Sequence, residues 1–394
     1  MNILRSRRLH AALAAGVVLS LAACGGGGSS NSSSASSGGG SGTLPSTIKI
    51  VGSEPETGPA AFAGLSAEKG YKLAIKQINA EHLLGKNTTL EVSFQDTKGQ
   101  IPTAAAAVST ALADKSVSAV FGSVSSQEAV AQSPIAQKGG LPIVFTQAGS
   151  DGVVIGNMTY RATPLMSSYY PLLKKYVQQN GWKTVGVIYT NASPTLVQVA
   201  NESIPKLGLQ VTKSVATTAT TQDFSAPIQQ VLATHPDVVS ILQVGAANPT
   251  AMTQLRQAGY TGPVLGNSGA SAGNLKPAGQ DGADMVWATD FNFQQTAASS
   301  QKFVKDYNAE YNENPLQYAA EAYDAAWFLA RSIKDAGSAD RAKIATGMAA
   351  EAKKKMNGAL GENLSWKDGT IEVPGSAIQW TGTDEKLLYS ASAG

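Results

Sequence analysis

The sequence predicts an α/β fold built as two similar lobes. Two observations point there. Short apolar runs of strand length alternate with stretches whose apolar residues recur at helical spacing, and that alternation runs through one βα set and then a second of like size. The composition fits: 394 residues, 43% hydrophobic and only 7% aromatic, with 40 glycines. That suits tightly packed α/β layers and allows about two domains.

The first 23 residues read as a targeting segment. Arg5, Arg7 and Arg8 form a positive start, and Ala11 to Leu19 an apolar stretch too short to span a bilayer as a helix. Leu21-Ala22-Ala23-Cys24 resembles the lipobox of bacterial lipoproteins, in which cleavage precedes the Cys and the thiol takes a lipid. Cys24 is the only cysteine, so no disulfide, thiol nucleophile or Cys metal site is left for the mature chain. Gly and Ser dominate residues 25–43, a flexible tether with a reach of roughly 20–25 Å. Setting aside the three leader arginines leaves 27 basic against 28 acidic residues, so bulk charge recruits neither nucleic acid nor an anionic membrane.

In the body, Thr47 to Val51 reads as the first strand, and Tyr71, Ala74, Ile75 and Ile78 share one helical face. Leu90 to Phe94 is the second strand, with Asp96 and Thr97 at its end. Ala104, Val108, Ala111 and Leu112 mark the next helix. Ser118 to Phe121 is a buried strand, Gly122 a sharp turn, and Ser125 or Ser126 the N-cap of a helix to about Lys138. That junction makes an anion site from free backbone N–H groups, the positive helix end and hydroxyls, for which a carboxylate is the natural guest. Pro142 to Phe145 is the fourth strand. Ligands on parallel sheets bind beyond the carboxyl ends of the strands, where loops 52–64, 122–126 and 146–151 gather.

Tyr160 to Pro164 reads as a crossing. The second set follows: a helix through Leu172, Leu173, Tyr176 and Val177; strands Thr184–Tyr189, Val211–Val215, Val238–Leu242 and Pro263–Leu265; and helices through Leu196 to Leu207, through Phe224 to Leu232, and up to Ala258-Gly259. Met285 to Thr289 leads out. Ser299 to about Met356 is helical, and Leu364–Thr370 with Ser376–Trp380 reads as a terminal hairpin.

The chemistry this sequence lacks is informative. Gly269-Ala270-Ser271-Ala272-Gly273 matches the hydrolase elbow pattern, but no His follows it for a triad. Neither a Gly-x-Gly-x-x-Gly run nor a P-loop offers a phosphate cradle. His82 and His235 sit in turn contexts. We therefore expect no enzyme, no cofactor, no metal and no nucleic-acid partner.

Taken in order, Ile48 to Gly52 with Thr57-Gly58-Pro59, the Gly70 to Asn79 run, Asp96-Thr97, Phe121-Gly122 with Ser125-Ser126, Pro142-Ile143-Val144, Tyr160-Arg161, Asp223-Phe224-Ser225, Arg256 to Gly259 and Tyr323-Asp324-Ala325 resemble the substrate-binding lipoproteins of ABC importers, of the branched-chain amino acid (Leu/Ile/Val-binding) type. The resemblance covers roughly residues 46–394. It implies a type I periplasmic-binding-protein fold, with two Rossmann-like lobes with parallel central sheets, joined by three hinge crossings. Lobe one would comprise 46–162 and 290–358, and lobe two 163–289 and 359–394, behind the leader 1–23 and the lipidated tether 24–45. It implies a monomer, lipid-anchored at the outer side of a bacterial membrane, that closes on a small polar or carboxylate-bearing ligand and delivers it to ABC permease subunits. A sensor that signals to a receptor is the alternative.

The same resemblance places ligand contacts at Ser125 and Ser126, at Gln147, Ala148 and Ser150, at Phe62, and at Tyr318 beside Gln317. In the second lobe the loops carry Asn191, Asn248 and Ser268. Ser268 stands where amino-acid binders place the acid that pairs with the ligand ammonium. The carboxylate end of the site is thus kept and the amine end is not.

Overall fold

The computed structural model describes residues 44–391. The expected leader 1–23, the lipidation site Cys24 and nearly all of the tether 24–45 lie outside the described residues.

Two sheets organise the chain. The strands are β1 (Thr47–Glu54), β2 (Thr89–Asp96), β3 (Val117–Gly122), β4 (Ile143–Phe145), β5 (Thr159–Arg161), β6 (Thr184–Thr190), β7 (Gln210–Thr217), β8 (Val238–Leu242), β9 (Val264–Leu265), β10 (Met285–Thr289), β11 (Met356–Gly358), β12 (Gly361–Lys367), β13 (Thr370–Glu372), β14 (Ser376–Trp380) and β15 (Glu385–Ser390). The first sheet has the order β11-β12-β13-β5-β4-β3-β1-β2, the second β15-β14-β10-β9-β8-β6-β7. Both are parallel at their centres, as βαβ alternation requires. Each ends in an antiparallel edge: β11-β12-β13 in the first, β14-β15 in the second.

The helix α1 (Ala61–Ala80) and the long helix Gln317–Ala336 pack together over the first sheet, above a core of Ile48, Ile50, Tyr71, Phe121 and Phe328. Gly70 lies so close to Ala319 that an added Cβ would sit 2.1 Å from that carbonyl oxygen. The second sheet is covered on one face by a cluster with Val187, Leu242 and Leu265 and on the other by one with Trp287 and Trp380.

The chain passes between the sheets three times: after β5, after β10 and after β13. The first two passages follow Arg161 and Thr289. The third does not fall near 358–361. Residues 359–372 stay with the first sheet, because β12 pairs antiparallel with β13 and Thr370 pairs parallel with Arg161. Trp366 holds them there, stacked on Phe328 at 4.1 Å and edge-on to Tyr160 at 6.0 Å. The single terminal hairpin is accordingly two. Asp368 and Gly369, with φ of 49° and 74°, close β12 onto β13, the backbone an Asp-Gly type I′ turn demands. β14 and β15 form the other hairpin, in the second sheet.

Candidate functional site

The carboxyl ends of β1, β3 and β4 converge, and the loop after β3 is the best-braced of them. Glu54, at the end of β1, accepts from the Val124 N–H at 3.0 Å. Gln132 accepts from the Ser123 N–H at 3.1 Å and donates to Ser53 at 2.7 Å. Glu128, in the first turn of α3 (Ser126–Gly139), the helix after α2 (Ile101–Ala113), takes the hydroxyls of Ser123 and Thr97 at 2.5 and 2.9 Å. These groups are buried, so the loop is rigidly presented. Burial raises both carboxyls, Glu54 most strongly. Gly122 does not act as a sharp turn. It ends β3, and its missing Cβ makes room for the Phe145 ring, which would otherwise lie 2.2 Å away.

Ser125 occupies the N-cap position, yet its hydroxyl caps nothing, and among the described residues the Ser126 hydroxyl bonds no protein group either. Both are half-buried and face a cavity of about 330 Å³ between the two lobes. The first amides of α3 have no partner within the helix, and Ser125, Ser126 and Gln127 line the same space. On α1, Phe62 lines the cavity and meets Tyr318 edge-on, ring centres 5.4 Å apart. Across from them stand Asn267, Ser268 and Asn274, with Ala192, Ser193 and Leu196 beside them.

Gln147 links the lobes. Its φ of 49° points its backbone N–H at Glu321, and its side-chain amide donates to Ser268 Oγ at 3.3 Å. The Tyr169 hydroxyl donates to the same Oγ at 3.3 Å, and Gln317 donates to the Ser268 carbonyl at 2.8 Å. Ser268 is therefore one point at which the lobes meet.

Six of the expected contacts thus share one cavity: Phe62, Ser125, Ser126, Gln147, Ser268 and Tyr318. Four lie outside its lining. Ala148 is fully buried in the apolar cluster behind β4, its carbonyl accepting from Arg161 at 2.9 Å. Ser150 is buried and held through its carbonyl by the same guanidinium at 2.8 Å. Asn191 is exposed, its N–H bonded back to Thr217. Asn248 is fully buried and spends its amide on the carbonyls of Gln243 and Gly269. These four shape loops.

The most informative property of the cavity is electrostatic. Its 27 lining residues include no Asp, Glu, Lys, Arg or His. Polar contact comes from hydroxyls, amides and backbone alone.

The profile of the family described as periplasmic binding protein matches residues 47–385. This chain belongs to that family. The protein is a substrate-binding protein and not an enzyme, and its place is outside the cytoplasm. Among curated relatives, a Leu/Ile/Val-binding protein homolog from Brucella abortus is 23% identical over 373 residues, 88% of this chain and 92% of that one. The leucine binding protein LivK of Thermotoga maritima superposes with a TM-score of 0.80 at 25% identity, covering 87% of this chain and 98% of its own. A solute binding protein from R. palustris, solved with benzoate, gives 0.77 at 18% identity, covering 88% and 98%.

Sequence reasoning missed several residues of this binding protein. Thr163, Met166 and Tyr169 line the cleft just after the first crossing, in a stretch read only as a hinge. Arg161 is 3% exposed and braces loop 147–150 as well as Thr370 at 3.0 Å. Its burial lowers the guanidinium to about 10. Two buried acids, Asp290 and Glu321, stand behind the lining. The signal for Asp290 was available, since an acid directly after a buried strand needs a partner. Glu321 lies in an alanine-rich run that reads as plain core.

Proposed function

We propose that this periplasmic binding protein captures a small carboxylate-bearing ligand that lacks an α-ammonium, and delivers it to an ABC import permease. The uncharged lining carries this reading. Ser125, Ser126 and the start of α3 supply donors for a carboxylate. Opposite them Ser268 offers a hydroxyl already bonded to Gln147 and Tyr169. An ammonium enclosed there would lose its water without gaining a charge partner, at a cost of several kcal/mol. Phe62, Met166, Leu196 and Tyr318 supply an apolar wall for the rest of the ligand. A cavity of about 330 Å³ suits a ligand at the small end of the usual range. The R. palustris solute binding protein, solved with benzoate, fits such a site.

The reading extends to the leader: a lipid on Cys24 would tether the body to the outer membrane face of its compartment. Cys24→Ala should abolish incorporation of labelled fatty acid.

A thermal-shift screen of the purified protein tests the ligand class, with aliphatic and aromatic carboxylic acids, their amides, and amino acids including leucine and isoleucine. A ligand at a hundred times its Kd adds about 2.7 kcal/mol to stability. Stabilisation by carboxylic acids without amines is expected. Stabilisation by leucine or isoleucine alone would overturn the reading.

A further inference from the structure

A second cavity, of about 470 Å³, borders the cleft cavity. Its walls come from α1 of the first lobe, from the short helix Ala272–Leu275 of the second, and from the turn between β14 and β15. The two linings differ in charge. Lys69, Lys276, Glu313, Asp384 and Glu385 all line the second cavity, whereas the cleft cavity has no Asp, Glu, Lys, Arg or His in its wall. Lys69 pairs with Glu313 at 2.6 Å. Glu385 accepts from the Ala272 N–H and from the Asn292 amide, each at 2.9 Å.

Phe62 lines both cavities, and the two linings share no other residue. Its ring has a neighbour from each. Tyr318, which lines the cleft cavity alone, meets it edge-on with ring centres 5.4 Å apart. Gly273 and Leu316 line the charged cavity alone. A Cβ on Gly273 would lie 2.7 Å from Phe62 Cδ2 and 3.5 Å from Leu316 Cδ1. The first distance is shorter than two carbons tolerate. The ring of the first lobe therefore occupies room that a side chain at Gly273 of the second lobe would fill. Phe62 sits in the first turn of α1 (Ala61–Ala80), so the helix fixes where the ring is rooted.

We propose that Phe62 is the partition that limits the length of the ligand: its ring, seated on Gly273, ends the uncharged cavity, and a smaller side chain there joins the cleft to the charged cavity beyond. The choice of ligands rests on the carboxylate reading of the cleft. With a carboxylate held at Ser125 and Ser126, the apolar remainder must fit inside the wall that Phe62 shares with Met166, Leu196 and Tyr318. A longer acid has to displace the ring, giving up its packing on Tyr318, or keep Phe62 and Gly273 apart and so hold the lobes open. The same ring keeps Lys69, Lys276 and the acids of the outer cavity out of the inner lining. The absence of charge that selects the ligand thus depends on one aromatic side chain.

The test is isothermal calorimetry of the full chain with phenylalkanoic acids, from benzoate to phenyloctanoate, which reads the length at which affinity collapses. Phe62→Ala should move that limit to longer acids. The first acid the parent rejects should gain about tenfold or more, the scale at which an apolar pocket discriminates a single methylene, while benzoate loses affinity with the wall it rested on. Gly273→Ala should do the opposite. Its methyl meets a ring edge, which can turn where backbone could not, and drives the ring toward Tyr318, so the limit shortens. Phe62→Leu should fall between parent and Phe62→Ala, and circular dichroism establishes that each variant is folded. The same limit in the parent and all three variants overturns the partition alone. So does loss of every acid from folded Phe62→Ala and Phe62→Leu, which would make the ring a ligand contact and not a boundary. Failure of the parent to bind any of the acids, with leucine or isoleucine binding instead, overturns the carboxylate reading. The limit is then read with amino acids from alanine to homophenylalanine, and an unchanged limit there overturns the partition as well.

Discussion

Gly70→Ala sets a local rule against a tertiary one, and the structure decides the sign. Gly70 lies inside the 20-residue helix α1, away from the left-handed backbone region. Intrinsic helix propensity favours Ala there by about 1 kcal/mol. The new Cβ, however, would lie 2.1 Å from the Ala319 oxygen and 2.8 Å from its carbonyl carbon. A carbon rests about 3.3–3.6 Å from a carbonyl oxygen, so the helices must part by roughly 1 Å. The obstacle is backbone, which cannot rotate away as a side chain would. Overpacking of this kind costs about 1–3 kcal/mol or more, and a backbone clash belongs at the upper end. The net expectation is a loss of about 2 kcal/mol in urea unfolding. Ligand affinity should fall too, because the displaced helix carries Gln317, Tyr318 and Glu321. A variant as stable as the parent, or more so, would refute the packing argument.

Three further outcomes follow from the site and its supports. Ser126→Ala should weaken a carboxylate ligand by about 1.5–3 kcal/mol, the range for a hydrogen bond to a charged group, while leaving its amide analogue less affected; calorimetry with each reads the difference. Arg161→Met removes the donors that hold the carbonyls of Ala148 and Ser150, leaving buried acceptors unpaired, and should cost about 2 kcal/mol or more in urea unfolding. Glu385, pushed by burial to about 7, binds a proton in the folded chain that the unfolded chain has already released above its ordinary range. Its contribution to stability therefore falls as pH rises from about 5 to 7. Glu385→Gln should flatten that part of the pH–stability curve, as measured by urea unfolding at each pH.

Much of the site was legible because it depends on chain order. A serine pair after a buried strand and a loop after the next strand must meet at one sheet edge, and Ser125, Ser126 and Gln147 do. Asp96, read as a brace, accepts from the Glu56 and Thr57 amides at 2.9 and 3.1 Å. Ala148, Ser150, Asn191 and Asn248 lie outside the cavity lining for a common reason: loop membership gives proximity to the cleft, but side-chain direction depends on backbone angles that the sequence does not carry. Gln147, at positive φ, takes the inward position that its neighbours therefore cannot.

The sequence by itself determined the α/β class, the parallel character of the central strands and the edge at which the loops gather, because apolar periodicity and right-handed crossover connections leave few alternatives. It also contained the Asp368-Gly369 turn, a purely local signal. Only the tertiary structure decided that residues 359–372 stay with the first sheet, since that rests on Trp366 meeting Phe328 and Tyr160 from distant parts of the chain. The same holds for the burial of Asp290 and Glu321 behind the cleft lining, which the packing of distant segments produces and no local pattern in the chain encodes.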